Sequence, residues 1–112
     1  MNASFLIVPN GSATIVDVKG EVDLSNVQEF RDALEEARRS GKPMVVTSFE
    51  NTDYVDSTTI NALVEESKKS SEQGVHLCVV VPKNSKCTKI FKLVELDRLL
   101  DVRESIEALT AT

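Results

Sequence analysis

Apolar and polar residues alternate along this chain with two different periods, and the first is the period of β-strands. Residues 5–8 and 13–18 are rich in β-branched and aromatic side chains, and Asn10 and Gly11 lie between the two runs. An Asn-Gly pair in this position is typical of the tight turns that join antiparallel strands. The chain is therefore predicted to open with a β-hairpin.

A helical period follows the hairpin. Apolar side chains recur every three or four positions after Ser25, which is predicted to cap the helix because its hydroxyl can accept a hydrogen bond from a free backbone N–H. Gly41 and Pro43 are expected to stop the helix, since neither residue continues it readily. The apolar face consists of Val27, Phe30, Leu34 and Ala37.

The middle of the chain continues with strand, helix and strand. Residues 44–49 are predicted to form a strand, followed by a polar link over residues 50–53. A second helix is expected to begin near residue 57 and to end at Gly74. Residues 75–81 are almost continuously apolar, which is typical of a central strand in a parallel sheet.

The last third of the chain predicts two more helices and a short strand. Asn84 or Ser85 is positioned to cap a helix over residues 87–94. Residues 99–102 are expected to add an edge strand before a final amphipathic helix through residues 106–109. Strands and helices that alternate after a hairpin predict a single α/β domain over residues 1–112, with a mixed four- to five-stranded sheet packed by about four helices.

The charge balance argues against a nucleic-acid partner. Thirteen Lys and Arg residues stand against eighteen Asp and Glu residues, and the formal net charge is -5. Such a surface repels a polyanion unless its basic residues cluster. The pairs Arg38-Arg39 and Lys68-Lys69 lie at the ends of predicted helices, where cations complement the helix dipole. We therefore expect no nucleic acid to bind.

The apolar runs and the two cysteines predict a cytoplasmic protein. The longest early apolar run, residues 5–8, has no basic residue before it and is far too short for a signal peptide or a membrane span. Direct membrane insertion is therefore not expected. Cys78 and Cys87 have no CxxC spacing and no histidines around them, so reduced, partly buried thiols are predicted rather than a disulfide or a metal site.

The sequence shows no catalytic machinery. A nucleophilic serine needs an adjacent base, and His76, the single histidine, lies in an apolar run that predicts a strand. Phosphate-binding loops and metal-binding motifs are absent, so neither a cofactor nor a metal is expected. An enzyme that used Ser57 with Asp56 would lack a base. The sequence therefore favours a binding protein over an enzyme.

One acidic residue and three hydroxyls stand in a row where a predicted strand turns into a helix: Asp56, Ser57, Thr58 and Thr59. Their oxygens suit a helix N-terminus, because they can accept hydrogen bonds from free backbone donors, and capping alone would explain the segment. A phosphate on Ser57 would also be favourable there, since its negative charge complements the helix dipole. The two interpretations are compatible.

With these residues the chain resembles the anti-sigma factor antagonists, the STAS domains typified by sporulation and stress-response regulators of bacteria. Residues 20–23, GEVD, resemble the first signature of that family. Residues 45–60, which contain YVDS at 54–57, resemble its strand, loop and phosphoacceptor helix start. Three later segments also fall where the family has equivalents: residues 75–81, the helix with Ile90 and Phe91, and residues 94–97.

The resemblance implies a STAS-like fold and a partner switch. Ser57 would be phosphorylated by a partner that is both a serine kinase and an anti-sigma factor and that supplies the ATP. The unphosphorylated chain would bind this partner and so free a sigma factor, whereas the phosphorylated chain would not bind. The partner-binding residues implied are Asp23, Asp56, Ser57, Thr58 and Thr59. Asp23 also has a purely structural interpretation, as the first residue of an Asx turn or a contributor to the helix cap.

Thr59 departs from the resemblance, because the family most often has glycine at this position. A β-branched side chain there is expected to crowd the backbone of a partner. The departure keeps a second function open: a constitutive STAS subunit of a stressosome-like scaffold or of a membrane lipid transport system, without a phosphorylation switch. Light scattering and a pull-down would separate the two functions.

Overall fold

The computed structural model describes residues 3–107 of the 112-residue chain. A hairpin of β1 (Ala3–Asn10) and β2 (Ala13–Val22) opens the fold, and helices and strands then alternate. The later elements are α1 (Val27–Arg38), β3 (Met44–Val55), α2 (Ser57–Glu72), β4 (His76–Val80), α3 (Thr88–Leu93), a 3-10 turn (Leu96–Arg98) and β5 (Asp101–Arg103).

The five strands form one mixed sheet in the order β1-β2-β3-β4-β5. β1 runs antiparallel to β2, and every later neighbour in the sheet is parallel. Gly11 turns the hairpin at a φ of 59°, a left-handed conformation that glycine adopts without a steric penalty. The predicted hairpin and the α/β architecture with a mixed sheet are therefore confirmed.

Four phenylalanine rings connect the layers of the main core. The ring centroid of Phe30 on α1 lies 5.7 Å from that of Phe5 on β1 and 6.1 Å from that of Phe49 on β3. Phe49 in turn lies 5.1 Å from Phe91 on α3. Aromatic pairs at these separations add to the stabilisation that burial provides. The hairpin, the sheet and two helices are thus held in one core.

The second face of the sheet carries a smaller apolar cluster. Val45 belongs to the main core and Val46 to the smaller cluster, as the alternation of side chains along a strand requires. Ile15, Cys78 and Val80 complete the smaller cluster. Burial raises the pKa of the Cys78 thiol to about 11. Both cysteines are free and buried, in agreement with the prediction of reduced thiols.

A buried ion pair joins α1 to α2. The Nε atom of Arg38 lies 3.2 Å from a carboxylate oxygen of Glu66, and the two side chains are only 5% and 6% exposed. Ser70 donates a further hydrogen bond of 2.9 Å to the same carboxylate. The sequence predicted only that Arg38 would complement the dipole of its helix. Its main contact is instead across the helix interface, a role that sequence spacing alone does not reveal.

Removal of one member of this buried pair should destabilise the fold strongly. Glu66→Ala leaves the buried Arg38 guanidinium with only the exposed Glu35 carboxylate, 3.7 Å away, so the free energy of unfolding should fall by about 3 kcal/mol. The matched control is Glu65→Ala, which removes the exposed ion pair between Glu65 and Arg31 and should cost no more than about 1 kcal/mol. Urea unfolding of both variants measures the difference. Equal losses would contradict the importance of the buried pair.

Two predictions about the strands were wrong. The polar link predicted over residues 50–53 is part of β3, and β2 extends to Val22 rather than ending near residue 18. The two extensions support each other, because residues 19–22 of β2 pair with residues 51–55 of β3. The register of β2 against β3 shifts near Val18 and near Gly20, and the pairing of the two strands continues through this polar stretch.

The third helix is shorter than the sequence predicted. α3 covers only Thr88–Leu93, and Ser85 accepts a hydrogen bond of 3.1 Å from the backbone N–H of Cys87, one turn before the helix. The described residues contain three α-helices where about four were predicted. The fourth, predicted through residues 106–109, lies mostly outside the described residues.

Candidate functional site

The parallel pairing of β2 with β3 determines where the candidate site lies. The last pair in this ladder is Val22 with Val55, at the carboxyl ends of both strands. The next residues, Asp23 and Asp56, therefore follow the two strands at the same end of the sheet. Segments at the carboxyl ends of parallel strands commonly form binding sites in α/β proteins. The sheet thus brings together two carboxylates that are 33 positions apart in the sequence.

Asp56 is the N-cap of α2. One of its carboxylate oxygens accepts a hydrogen bond of 3.0 Å from the backbone N–H of Thr58, and the Thr58 hydroxyl donates to the same oxygen. Ser57 is the first residue of the helix and is exposed. Its hydroxyl makes no hydrogen bond within residues 3–107. Of these two hydroxyls, that of Ser57 is exposed and unbonded within residues 3–107, whereas that of Thr58 is bonded to Asp56.

Asp23 organises the loop between β2 and α1. One of its carboxylate oxygens accepts hydrogen bonds from the backbone N–H and the hydroxyl of Ser25, which is the geometry of an Asx turn. The Ser25 hydroxyl is the main reason why the pKa of Asp23 is lowered from its ordinary value of 3.8. The Asx-turn interpretation of Asp23 is therefore confirmed, and the carboxylate is ionised at neutral pH.

Ser25 is not the cap of α1, contrary to the prediction. Asn26 occupies the N-cap position, and its side chain makes no capping bond to the helix. It accepts a hydrogen bond of 2.9 Å from the backbone N–H of Asp23 and donates one of 2.8 Å to the carbonyl of Glu21. Ser25 instead bonds to Asp23, so both polar side chains stabilise the loop before the helix.

The loop after β2 and the turn between β3 and α2 border an open cleft of about 680 Å³. Three carboxylates line it, from Glu21, Asp23 and Asp56, and no basic residue does. Leu24 and Tyr54 also line the cleft and are 77% and 47% exposed. The cleft therefore combines acidic residues with exposed apolar surface, as interaction sites often do.

The sequence analysis did not identify Glu21, Leu24 or Tyr54 as surface residues of the site. Leu24 offered one signal, because an apolar side chain between Asp23 and Ser25 in a turn has no core to enter. Tyr54 offered none, since its exposure depends on the register of β3 against β2, in which it pairs with Glu21.

Thr59 does not lie on the surface of the site. Its side chain has no exposed area, and its hydroxyl has no hydrogen-bond partner among the described residues. A fully buried side chain cannot contact a docked protein, so the expectation that Thr59 binds or crowds a partner is wrong. The Thr59 side chain therefore packs below the helix start and adds no exposed surface beside Ser57.

The buried hydroxyl of Thr59 should reduce stability. Thr59→Val replaces it with a methyl group of similar shape and should raise the free energy of unfolding by about 1 kcal/mol, because an unpaired buried polar group is removed. The neighbouring variant Thr58→Val is the control, since it removes a hydroxyl that is bonded to Asp56 and should lower stability. Urea unfolding distinguishes the two. A loss of stability in Thr59→Val would contradict this account.

The histidine and the other acidic residues do not add a catalytic or metal centre to this site. His76 is the first residue of β4, paired in register with Met44 at the start of β3, so it lies at the opposite end of the sheet from Ser57. Its Nε2 atom lies 2.8 Å from a carboxylate oxygen of Asp101. Residues 3–107 contain no group of three His, Cys, Asp or Glu side chains arranged to hold a metal ion.

The sequence along most of the chain identifies its family. The family model described as the STAS domain matches residues 5–109, nearly the whole chain. The chain therefore belongs to the STAS domain family. None of the helices in the described part of the chain is long and apolar enough to cross a membrane.

Relatives and solved structures extend this assignment. The chain is 27% identical to the anti-sigma-B factor antagonist of Staphylococcus aureus over 92 residues, which cover 82% of this chain and 84% of that protein. It superposes on an anti-sigma factor antagonist from Mycobacterium paratuberculosis with a TM-score of 0.80, at 20% identity over 98% of this chain and 93% of that one. The phosphorylated form of the Bacillus cell fate determinant SpoIIAA gives a TM-score of 0.66 at 16% identity, over 96% and 98% of the two chains. At these identities the solved structures show a common fold.

The Ser25 hydroxyl should control the ionisation of Asp23. Ser25→Ala removes the main hydrogen bond to the carboxylate, so the pKa of Asp23 should rise toward 3.8. Because the folded-state pKa is depressed, this bond stabilises the protein above pH 3.8 and its contribution is lost as the pH falls through the lower value. Carboxyl-carbon NMR titration measures the shift. Ser25→Thr retains a hydroxyl and should keep the pKa low; an unchanged pKa in Ser25→Ala would contradict the assignment.

Proposed function

We propose that this chain is an anti-sigma factor antagonist: a cytoplasmic regulatory protein that binds an anti-sigma factor and loses that affinity when Ser57 is phosphorylated. The single observation that carries the proposal is the free, exposed hydroxyl of Ser57 at the start of α2, beside the acidic cleft that holds Asp23 and Asp56. The names of the curated relative and of the structural neighbours support the same class of function.

The charges around Ser57 support a switch that acts on the surface and not on the fold. A phosphate adds a charge of about -1.5 to -2 at neutral pH. The positive end of the helix dipole favours this charge at the first residue of α2, so the helix should persist. The partner, however, would face a dianion in addition to three carboxylates that have no basic neighbour in the cleft. Desolvation of so much negative charge opposes docking.

Competition between adjacent hydroxyls supports Ser57 as the acceptor. The Thr58 hydroxyl donates to Asp56, and transfer of a phosphate to Thr58 would break a hydrogen bond that caps the helix. Thr59 has no exposed area. A kinase can therefore reach the Ser57 oxygen without breaking a capping hydrogen bond or unfolding the helix start. Asp23, Asp56 and Thr58 are then contact residues of the docking surface.

The proposed partner has two activities. It is a serine kinase, which supplies the ATP, and it is an anti-sigma factor, which releases its sigma factor when the unphosphorylated antagonist docks. Leu24 and Tyr54 give the docking surface an apolar component that the phosphate leaves unchanged. The switch therefore acts through charge on a surface whose apolar contacts are constant.

A phosphorylation and binding experiment tests this function. The protein is incubated with the anti-sigma kinase of its own organism and ATP, and wild type, Ser57→Ala and Ser57→Asp are compared by mass spectrometry and binding. Wild type should gain one phosphate on Ser57 and lose affinity. Ser57→Ala should gain none and remain bound, and Ser57→Asp should bind roughly tenfold more weakly or worse because of its added charge.

Thr58→Ala is the matched control, since it removes a neighbouring hydroxyl and leaves the proposed acceptor in place. It should still gain its phosphate on Ser57. No phosphate on Ser57, together with equal affinity in wild type, Ser57→Ala and Ser57→Asp, would exclude the switch.

A further inference from the structure

The two edges of the sheet differ in how they are protected. β5, at one edge, has only three residues, and two of them, Asp101 and Arg103, are charged. Short length and charge are common devices that prevent an edge strand from pairing with another chain. β1, at the other edge, has eight residues and no charged side chain. The edge at β5 is therefore protected along its length, whereas β1 carries only Pro9, near its end, as such a device.

The outer edge of β1 is free. Its inner edge pairs with β2 over the whole strand, from Ala3 with Gly20 to Asn10 with Ala13. No strand in residues 3–107 pairs with the outer edge. The backbone N–H and C=O groups directed outward from β1 are thus available to a further strand.

The side chains of β1 also leave apolar surface exposed. Phe5 and Ile7 pack against the main core, whereas Leu6 and Val8 lie on the second face of the sheet and are 55% and 38% exposed. Val8 pairs with Ile15, which belongs to the smaller apolar cluster. Val8 therefore continues the smaller apolar cluster, whereas Leu6 lies opposite Asp17 and is an exposed apolar side chain beside a charged one.

We propose that β1 is a homodimer interface, at which the free edges of two copies pair antiparallel about a two-fold axis and join their sheets into one. An axis perpendicular to the sheet requires a residue of the strand to face its own copy. Pro9 has no N–H, so it limits the run that can pair to residues before it. The uninterrupted stretch from Ser4 to Val8 is centred on Leu6.

This register is self-complementary. Leu6 lies opposite Leu6 of the second copy, Phe5 lies opposite Ile7, and Ser4 lies opposite Val8. Aromatic residues opposite β-branched residues are among the favourable cross-strand pairs. No charge is brought against another within the strand, although each copy has a net charge of -5. A second copy thus forms hydrogen bonds with the outward backbone groups of β1, and no charged side chain of either β1 strand lies in the interface.

The proposed interface leaves the site at Ser57 accessible. β1 is separated from β3 by β2, and α2 follows the carboxyl end of β3. A dimer through β1 would carry two acidic clefts, each independent of the seam. The inference rests on the edge strand alone and stands whether or not Ser57 is phosphorylated.

The mass of the protein in solution tests the interface. Sedimentation or light scattering over a wide concentration range should show the 12.3 kDa chain changing from monomer to dimer as the concentration rises. Leu6→Lys places two like charges at the axis and should raise the dissociation constant roughly tenfold or more. Leu24→Lys, which replaces an even more exposed leucine in the loop after β2, should leave the dissociation constant unchanged. A monomeric wild type at all concentrations, or a dimer unaffected by Leu6→Lys, would overturn the proposal.

Cross-linking checks the register and does not depend on the folding of Leu6→Lys. Leu6→Cys should form a symmetric disulfide under mild oxidation, because residues opposite each other in an antiparallel pair have nearby Cβ atoms. Leu24→Cys is the control and should cross-link much less. Native Cys78 and Cys87 are buried and should not interfere. Equal cross-linking at positions 6 and 24 would contradict the proposed seam.

Discussion

The parallel ladder between β2 and β3 is the interaction on which the rest of the structure depends. It continues through a polar stretch with two irregularities in register, and it ends with Val22 beside Val55. This ending delivers Asp23 and Asp56 to one edge of the sheet and starts α2 with Ser57 exposed. If β2 ended four residues earlier or β3 six residues earlier, where apolar patterning would end them, the two loops would not enclose a common cleft. Backbone pairing, and not a direct contact between side chains, assembles the site.

Three adjacent hydroxyls at the start of α2 have three different environments. Ser57 is exposed, Thr58 bonds to the capping carboxylate of Asp56, and Thr59 is buried without a partner. The period of the helix produces this division, because successive residues are rotated by about 100° around the axis. One hydroxyl is therefore exposed, the next bonds to the capping residue, and the third packs against the core. Composition alone treats the three as equivalent, and only their phase on the helix separates them.

Local patterns predicted most of the fold and one part of the site. The Asn-Gly hairpin, the apolar run before Pro82 and the Asp-Ser start of α2 are each encoded in a few consecutive residues, and all three are present. Features that depend on distant partners were missed. Residues 50–53 are polar and read as a link, yet β2 holds them in a strand. Arg38 resembles an ordinary helix-end cation, yet Glu66 pairs with it from another helix. Tyr54 became a surface residue through the register of a neighbouring strand.

The acidic cleft draws little of its shape from the side chains that line it. Leu24 is 77% exposed and Glu21 contributes its carbonyl, rather than its carboxylate, to the loop. Substitutions at such positions should cost little folding energy, because few buried contacts are lost. Substitutions around such a cleft can therefore change which partner a STAS domain recognises and which it rejects. The core need not change when the specificity of the surface does.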